Sequence, residues 1–195
     1  MPLPESISVG LSAFALISLA ELGDKSQLVC MTLASRHRPW PVLLGAASAF
    51  LLLNLLAVAF GASLSAWVPR PIMAGLVALL FALFGLQALF NGGEEDTEAP
   101  QERSGRGIFV TTFLLIGLSE FGDKTQIAVA GLAGGFPPLP VWIGASLALV
   151  GVSALGIWAG RILFKRLPLR LLHRLSGLLF LLFAALAAWK AYSLL

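Results

Sequence analysis

The chain contains very little cysteine or histidine. Its 195 residues include one cysteine, Cys30, and two histidines. A single cysteine excludes an internal disulfide and a thiolate metal site. Without clusters of Cys and His, a Zn²⁺ or Cu⁺ site is also disfavoured. His37 and His173 lie among arginines at the ends of apolar stretches, and we interpret them as interfacial residues.

Charge is also scarce, since 12% of the residues are charged and 58% are apolar. Soluble domains carry roughly one quarter charged residues, so the lipid bilayer is the expected surrounding of this chain.

Residues 1–5 lack the basic region of a signal peptide, and the first apolar stretch is therefore predicted to be a retained helix. The basic residues stand at helix ends rather than on one folded face, which argues against nucleic acid as a partner.

Six apolar stretches are each long enough to cross a hydrocarbon core of about 30 Å. The first and fourth qualify only if the charged motifs within them are included. The length leaves no room for a soluble domain, so we predict an all-α integral membrane protein with six transmembrane helices. The stretches cover 7–35, 41–67, 71–91, 107–134, 138–163 and 172–194.

An internal repeat divides the chain. Ala20-Glu-Leu-Gly-Asp-Lys-Ser-Gln27 recurs as Ser119-Glu-Phe-Gly-Asp-Lys-Thr-Gln126, 99 residues later. The same offset aligns Gly45 with Gly144 and Asn54 with Ser153, and a slightly larger one aligns Gly75 with Gly177. We predict two three-helix repeats, 1–91 and 107–195, joined by an acidic linker, 92–106. Because each repeat has an odd number of spans, the second enters the membrane from the opposite side, as in the inverted repeats of transporters.

Basic residues are distributed unequally between the two predicted sides. The side that carries the first, third and fifth loops holds nine of those outside the motifs, and the other side holds Arg70 and Lys190. The positive-inside rule then places the linker 92–106 in the cytoplasm and both termini outside. The nine are Arg36, Arg38, Arg103, Arg106, Arg161, Lys165, Arg166, Arg170 and Arg174.

The acidic residues within the predicted spans all belong to the repeated motif. Of ten acids, Glu5 is N-terminal and five lie in the linker, which leaves Glu21, Asp24, Glu120 and Asp123. An ionisable side chain at bilayer depth costs at least a few kcal/mol unless it meets a partner, water or an ion. These four carboxylates therefore form the candidate site.

On a continuous helix, Glu21, Asp24 and Lys25 would share one face, and the second motif would repeat this with its own three residues. If both faces meet, four carboxylates oppose two lysines, and a net charge of −2 matches one divalent cation. A salt bridge that only holds helices together is the structural alternative, and the second copy at equal spacing argues against it. The second set is Glu120, Asp123 and Lys124.

Oxygen ligands favour hard cations such as Mg²⁺, Ca²⁺ and Mn²⁺. The hydroxyls and amides of each motif can add neutral oxygens, and the glycine between the acids weakens the helix and can expose carbonyls to an ion. The carboxylates can also take up protons when a metal leaves. Lys25 and Lys124 have a predicted structural and electrostatic role, in which each either neutralises a neighbouring acid or pairs across the repeats. Asn54 either joins helices by a hydrogen bond or is a ligand. The amides and hydroxyls are those of Gln27, Gln126, Ser26 and Thr125, and the glycines are Gly23 and Gly122.

Two Glu-x-Gly-Asp-Lys-Ser/Thr motifs in a six-helix chain with a charged central loop resemble the GDT family, over essentially the whole chain. That family includes bacterial manganese exporters and eukaryotic Golgi calcium/manganese transporters. The resemblance implies cation/proton antiport rather than enzymatic activity, with Mn²⁺ or Ca²⁺ as substrate, H⁺ as coupling ion and no cofactor. It implies export of Mn²⁺ across a prokaryotic inner membrane. The implied ion site is Glu21, Asp24, Glu120 and Asp123, joined by Gln27, Gln126, Ser26 and Thr125.

Three other functions fit an intramembrane carboxylate cluster less well. A passive cation channel can use carboxylate rings, and an exporter of a small organic cation or amino acid can hold an ammonium group with its acids. An intramembrane enzyme is disfavoured because no nucleophile or metal-water ligand set accompanies the acids. The sequence leaves open the choice between Mn²⁺ and Ca²⁺, the stoichiometry and the formation of a homodimer.

Overall fold

The structure is a computed structural model that describes residues 5–90, 107–163 and 169–193. These residues form eight α-helices, and no strand occurs among them, which confirms the all-α class. The predicted linker, 92–106, lies outside the described residues. The helices are α1 (Glu5–Glu21), α2 (Lys25–Arg36), α3 (Pro39–Trp67), α4 (Arg70–Phe90), α5 (Ile108–Glu120), α6 (Lys124–Gly135), α7 (Pro138–Leu163) and α8 (Leu169–Ser193).

Proline sets several of the helix boundaries. Pro39 occupies the first turn of α3, where its missing N–H would have no helical partner in any case. Pro69 follows the end of α3, and Pro137 follows the end of α6 at Gly135. Proline cannot continue a helix without losing a hydrogen bond. The connections from α3 to α4 and from α6 to α7 are therefore two residues long.

The two halves of the sequence pack mainly against each other. α1 packs chiefly against α7, and α5 packs chiefly against α3. A Cβ on Gly144 would collide with the Gly10 carbonyl oxygen, and a Cβ on Gly45 would lie 2.5 Å from the Phe109 carbonyl oxygen. Gly10 and Phe109 are 99 residues apart, and so are Gly45 and Gly144, so the two contacts are equivalent in the repeat. Glycine thus permits the same close approach of helices twice.

A pair of helices, α4 and α8, packs together through aromatic rings. Phe81 meets both Phe180 and Phe183 edge-on, with ring centroids 5.7 and 6.3 Å apart. The pair also approaches closely at Gly85 and Gly177, because a Cβ on either would lie 2.9 Å from the other's carbonyl oxygen. This pairing joins the third helix of each sequence repeat.

The central helices, α3 and α7, bury several alanines and expose many large apolar side chains on their outer faces. Ala46 and Ala49 of α3 are buried, as are their counterparts Ala145 and Ala148 of α7. Large side chains on the outer faces are exposed, as expected where lipid is the solvent. Examples are Leu52, Leu55 and Phe60 on α3 and Leu147 and Trp158 on α7.

Length and composition identify two helical segments of the described chain as able to cross a membrane. They are α3, with a mean hydropathy of 2.3, and residues 138–158 of α7, with 1.9. α1 and residues 26–36 pass together as a third, broken span, bent by 71°. Shorter apolar helical stretches lie at 71–87, 108–120 and 177–193. The helices are those of a membrane protein, and the number of six spans stays a prediction.

Candidate cation site

Each motif lies at a break between two helices. Glu21 is the last residue of α1 and Lys25 the first of α2, and Glu120 and Lys124 hold the same positions around the second break. The expectation that one continuous helix presents the motif acids on a single face was therefore wrong. The chain turns between the two acids of each motif, so that the carboxylates meet by tertiary packing instead of helical spacing.

A glycine makes each turn. Gly23 has a φ of 88° and Gly122 a φ of 79°, in the left-handed region that side chains with a Cβ rarely adopt. In both turns the Asp N–H donates to the Glu carbonyl three residues earlier, at 3.1 Å in the first and 3.2 Å in the second. The glycines were predicted to weaken the helix, and the structure confirms an interruption at both.

Three of the four predicted carboxylates come together. One oxygen from each of Glu21, Asp24 and Asp123 lies within 4.8 Å of the others. Hard divalent cations bind oxygens at about 2.0–2.6 Å, so oxygens on one ion stand at most about 5 Å apart. The spacing of these three oxygens therefore suits a single divalent cation. Glu120 does not belong to this group, although it is buried nearby.

Hydroxyl groups connect the two motifs. The Thr125 hydroxyl donates to Glu21 Oε1, and the Ser26 hydroxyl donates to Glu21 Oε2 at 3.4 Å. Ser26 also interacts with the carboxylate of Glu120, just as Thr125 interacts with that of Glu21. Since Ser26 and Thr125 are equivalent in the repeat, each motif supplies a hydroxyl to the acid of the other.

One lysine also pairs across the motifs. Lys124 Nζ lies 2.8 Å from Asp24 Oδ2, and the two side chains are 28% and 8% exposed. This is one of the two alternatives predicted for the lysines, namely pairing across the repeats. The side chain of Lys25 lies outside what the structure describes. Lys124 thus offsets one of the negative charges gathered at the helix breaks.

The two glutamines use both ends of their amides. Gln27 Oε1 accepts from the Gly23 N–H at 2.7 Å, and Gln27 Nε2 donates to the Val152 carbonyl at 3.0 Å. Gln126 bonds in the same way to the Gly122 N–H and to the Leu53 carbonyl. Their role as ligands stays a prediction. Leu53 and Val152, which sequence reasoning missed, are themselves 99 residues apart, so the repeat offset could have paired them.

Asn54 lies next to this region on α3. It is buried, and its side-chain amide donates to the Ser146 hydroxyl of α7 at 3.1 Å. This bond joins the two central helices, as expected for the interhelical alternative. Ser153, its counterpart in the repeat, is also buried.

Burial makes the cluster expensive without a partner. Glu21 is fully buried, and Asp24 and Glu120 are 9% and 6% exposed. A buried carboxylate costs several kcal/mol unless hydrogen bonds and opposite charge offset the loss of water. Two hydroxyls and one lysine supply some of these hydrogen bonds and opposite charge, and a divalent cation at the three carboxylates would supply more opposite charge. The site can therefore bind a divalent cation, or protons in its place.

Comparison with known proteins gives one family. Residues 9–96 and 108–194 match the family described as "Divalent cation/proton antiporter GDT1". A GDT1-like protein of Synechocystis is 32% identical over 194 residues, covering 89% of this chain and 93% of that protein. A protein of Vibrio cholerae described as a "Putative manganese exporter" is 28% identical over 191 residues, covering 96% and 94%. A GDT1-like protein 3 of Arabidopsis thaliana is 29% identical over 195 residues, covering 87% and 67%. No solved structure shows a significant match.

Proposed function

Because this chain belongs to the GDT1 family of divalent cation/proton antiporters, we propose that it exports Mn²⁺ from the cytoplasm in exchange for protons. Ca²⁺ is the second substrate in this proposal. The observation that carries it is the group of carboxylates from both motifs, the buried Glu21 and Asp24 and the half-exposed Asp123, whose oxygens lie within 4.8 Å of one another. The relative from Vibrio cholerae, described as a manganese exporter, supports the choice of metal.

The proposed ion site consists of the four motif acids, with Ser26 and Thr125 as supporting hydroxyl groups. Glu120 lies outside the group of three, but it interacts with Ser26 and lies close to Asp24 and Asp123. In the exchange, metal and protons compete for the same carboxylates. Departure of the metal leaves like charges close together, which favours the uptake of protons at those oxygens.

The proposed architecture has six spans in two inverted repeats. Three contacts support it, because each occurs twice at an offset of 99 residues. The contact of Gly10 with Gly144 corresponds to that of Phe109 with Gly45, and the contact of Ser26 with Glu120 corresponds to that of Thr125 with Glu21. The bonds of the two glutamine amides are the third such pair. Equivalent contacts of this kind are expected when two copies of one fold pack about a pseudo-twofold axis. Transporters with inverted repeats place the substrate at that axis and alternate access by moving one repeat against the other.

The proposed location is the inner membrane of a prokaryote. The excess of basic residues on one side favours the linker 92–106 in the cytoplasm and both termini outside. With this orientation, a proton gradient directed into the cell would drive the metal outwards.

Metal flux into proteoliposomes tests the function. We expect an imposed pH gradient to drive Mn²⁺ transport by the wild type, with Ca²⁺ as a competitor, and Glu21→Gln and Glu120→Gln to abolish it. Glu5→Gln is the matched control, because Glu5 is exposed at the start of α1. Flux that ignores the pH gradient would indicate a channel. No flux of either metal by folded protein would overturn the proposal and favour an organic cation as substrate.

A further inference from the structure

The glutamine of each motif sits where a helix begins. Gln27 is the third residue of α2, and Gln126 is the third residue of α6. The first N–H groups of a helix have no carbonyl partner within it. A Glu or Gln at the third position often bends back to accept from such an N–H. Here the amide oxygen reaches the N–H of the glycine that makes the turn, Gly23 or Gly122.

The other end of each amide reaches across to the opposite repeat. Gln27 Nε2 donates to the Val152 carbonyl of α7, and Gln126 Nε2 donates to the Leu53 carbonyl of α3. One side chain therefore ties the turn of one half to the long central helix of the other half. The bridge occurs twice, although Gln27 is fully buried and Gln126 is only half-buried.

A glycine on α7 makes room for the first bridge. A Cβ on Gly156 would lie 2.7 Å from Gln27 Cγ and 3.3 Å from the Gln27 carbonyl oxygen. Gly156 lies one helical turn beyond Val152, which accepts the amide bond. The packing of α7 thus fits the extended Gln27 side chain independently of its hydrogen bonds.

These contacts leave the amide oxygen engaged. Oε1 is the atom with which a glutamine would bind a hard cation, and in both motifs it accepts from a backbone N–H. In the first motif, turning it towards an ion would leave the part-buried Gly23 N–H without its partner, which costs the desolvation of that group. It would also break the bond from Nε2 to the opposite repeat.

We infer that Gln27 and Gln126 are positioning residues, which hold each glycine turn against the central helix of the opposite repeat and so set the motif acids in place, and that they supply no oxygen to the ion. This rests on the proposed function in so far as the motif acids bind the transported cation. The two bridges also couple any movement of α7 or α3 to the turn that carries the acids of the other half.

Substitution by glutamate separates positioning from ligation. Gln27→Glu and Gln126→Glu keep an oxygen that can accept from the turn, but a carboxylate cannot donate to the carbonyl on the central helix. We expect the Mn²⁺ turnover of each to fall about tenfold, the change that corresponds to about 1.4 kcal/mol. We expect no tightening of KM for Mn²⁺ or of Mn²⁺ binding by the purified protein. A ligand would act oppositely, since an added charge would tighten binding.

The matched control is Gln87→Glu. Gln87 lies exposed on α4, and its substitution adds the same charge away from the turns, so we expect turnover and KM to stay at their wild-type values. A tighter KM in Gln27→Glu or Gln126→Glu would overturn the inference. Unchanged turnover and KM together with a lower Tm would also overturn it, because the glutamines would then have a purely structural role.

A double-mutant cycle in thermal unfolding tests the packing of Gln27 on α7 without transport. Gly156→Ala should lower Tm in the wild type, since the new Cβ meets Gln27. It should lower Tm less in Gln27→Ala, where the 2.7 Å contact with Cγ is gone and the 3.3 Å contact with the backbone oxygen remains. Additive changes would overturn the fit between Gln27 and α7. If the wild type transports no metal at all, the proposed function fails, and this cycle still decides whether Gln27 packs on α7 as the inference requires.

Discussion

The first motif is enclosed by its neighbours, whereas the second is open on one side. Leu22 and Gly23 are half-buried in the first turn, while Phe121 is 70% exposed and Gly122 is exposed in the second. α8 packs against α1, the helix that ends at the first motif. Among the described residues, the corresponding helices α4 and α5 make far less contact. Nearly identical motifs therefore have different surroundings, because distant helices decide their exposure.

This difference separates the chemistry of the site from access to it. Both motifs make the same hydroxyl and amide bonds across the repeats, although the first supplies two of the three grouped carboxylates and the second supplies one. What differs is the packing of the outer helices around them. In a transporter that alternates access, a rearrangement of the outer helices can exchange the enclosed and the open side while the shared bonds persist.

The largest effect on stability is expected at the ion pair across the motifs. Asp24→Asn should lower the free energy of unfolding by about 3 kcal/mol, because it leaves Lys124 without its carboxylate in a mostly buried position. Asp123→Asn should cost less, since Asp123 is half-exposed. Thermal unfolding in detergent measures both. Equal losses would show that the enclosure of the first motif has no energetic consequence.

The next largest effect on stability is expected at the two equivalent helix contacts of Gly144 and Gly45. Gly144→Ala and Gly45→Ala should each cost about 2 kcal/mol, because the new Cβ would collide with a backbone oxygen of α1 or α5. Gly151→Ala is the control on the same helix as Gly144, and nothing lies within 4 Å of its Cβ position. It should leave Tm unchanged or slightly raised. A stable Gly144→Ala would contradict the close approach of α1 and α7.

A smaller effect should come from the backbone of the open turn. Gly122→Ala adds a methyl group into open space, but at a φ of 79°. A side chain in this left-handed region costs roughly 1–2 kcal/mol, and stability should fall by about that amount. Gly117→Ala, within α5 and also in open space, should instead be neutral or stabilising. Equal Tm values for the two variants would argue against the left-handed turn.

The smallest effect is expected from cysteine substitutions that compare the exposure of the residues just before the two motif glutamates. Ser119 is exposed and its counterpart Ala20 is half-buried. In a Cys30→Ala background in detergent solution, Ser119→Cys should react faster than Ala20→Cys with a small thiol reagent, because the side chain it replaces is exposed. Transport by both variants serves as the control for folding. Faster labelling at Ala20→Cys would reverse the assignment of the open side.

Much of the site followed from the sequence because the repeat is explicit in it. The offset of 99 residues predicts which acids, glycines and hydroxyls belong to the candidate site, and three of the four acids do come together. The continuous helix was wrong because periodicity describes residues within one helix, whereas a left-handed glycine ends it between Glu21 and Asp24. The pairing of Lys124 with Asp24 depends on how two distant turns dock, which no local pattern reports. The unequal exposure of the motifs has the same origin, since their sequences are almost alike.

The packing of each half against the other has a consequence for synthesis. The Gly10 backbone meets Gly144, which is translated 134 residues later. At roughly 5–20 residues per second, the ribosome needs on the order of ten seconds to produce this partner. During that interval the first half lies in the lipid without the helices that pack on its glycines, and its motif acids lack the side chains of the second motif. The newly inserted chain therefore depends on the lipid, on water or on the insertion machinery to shelter Glu21 and Asp24 until the second half arrives.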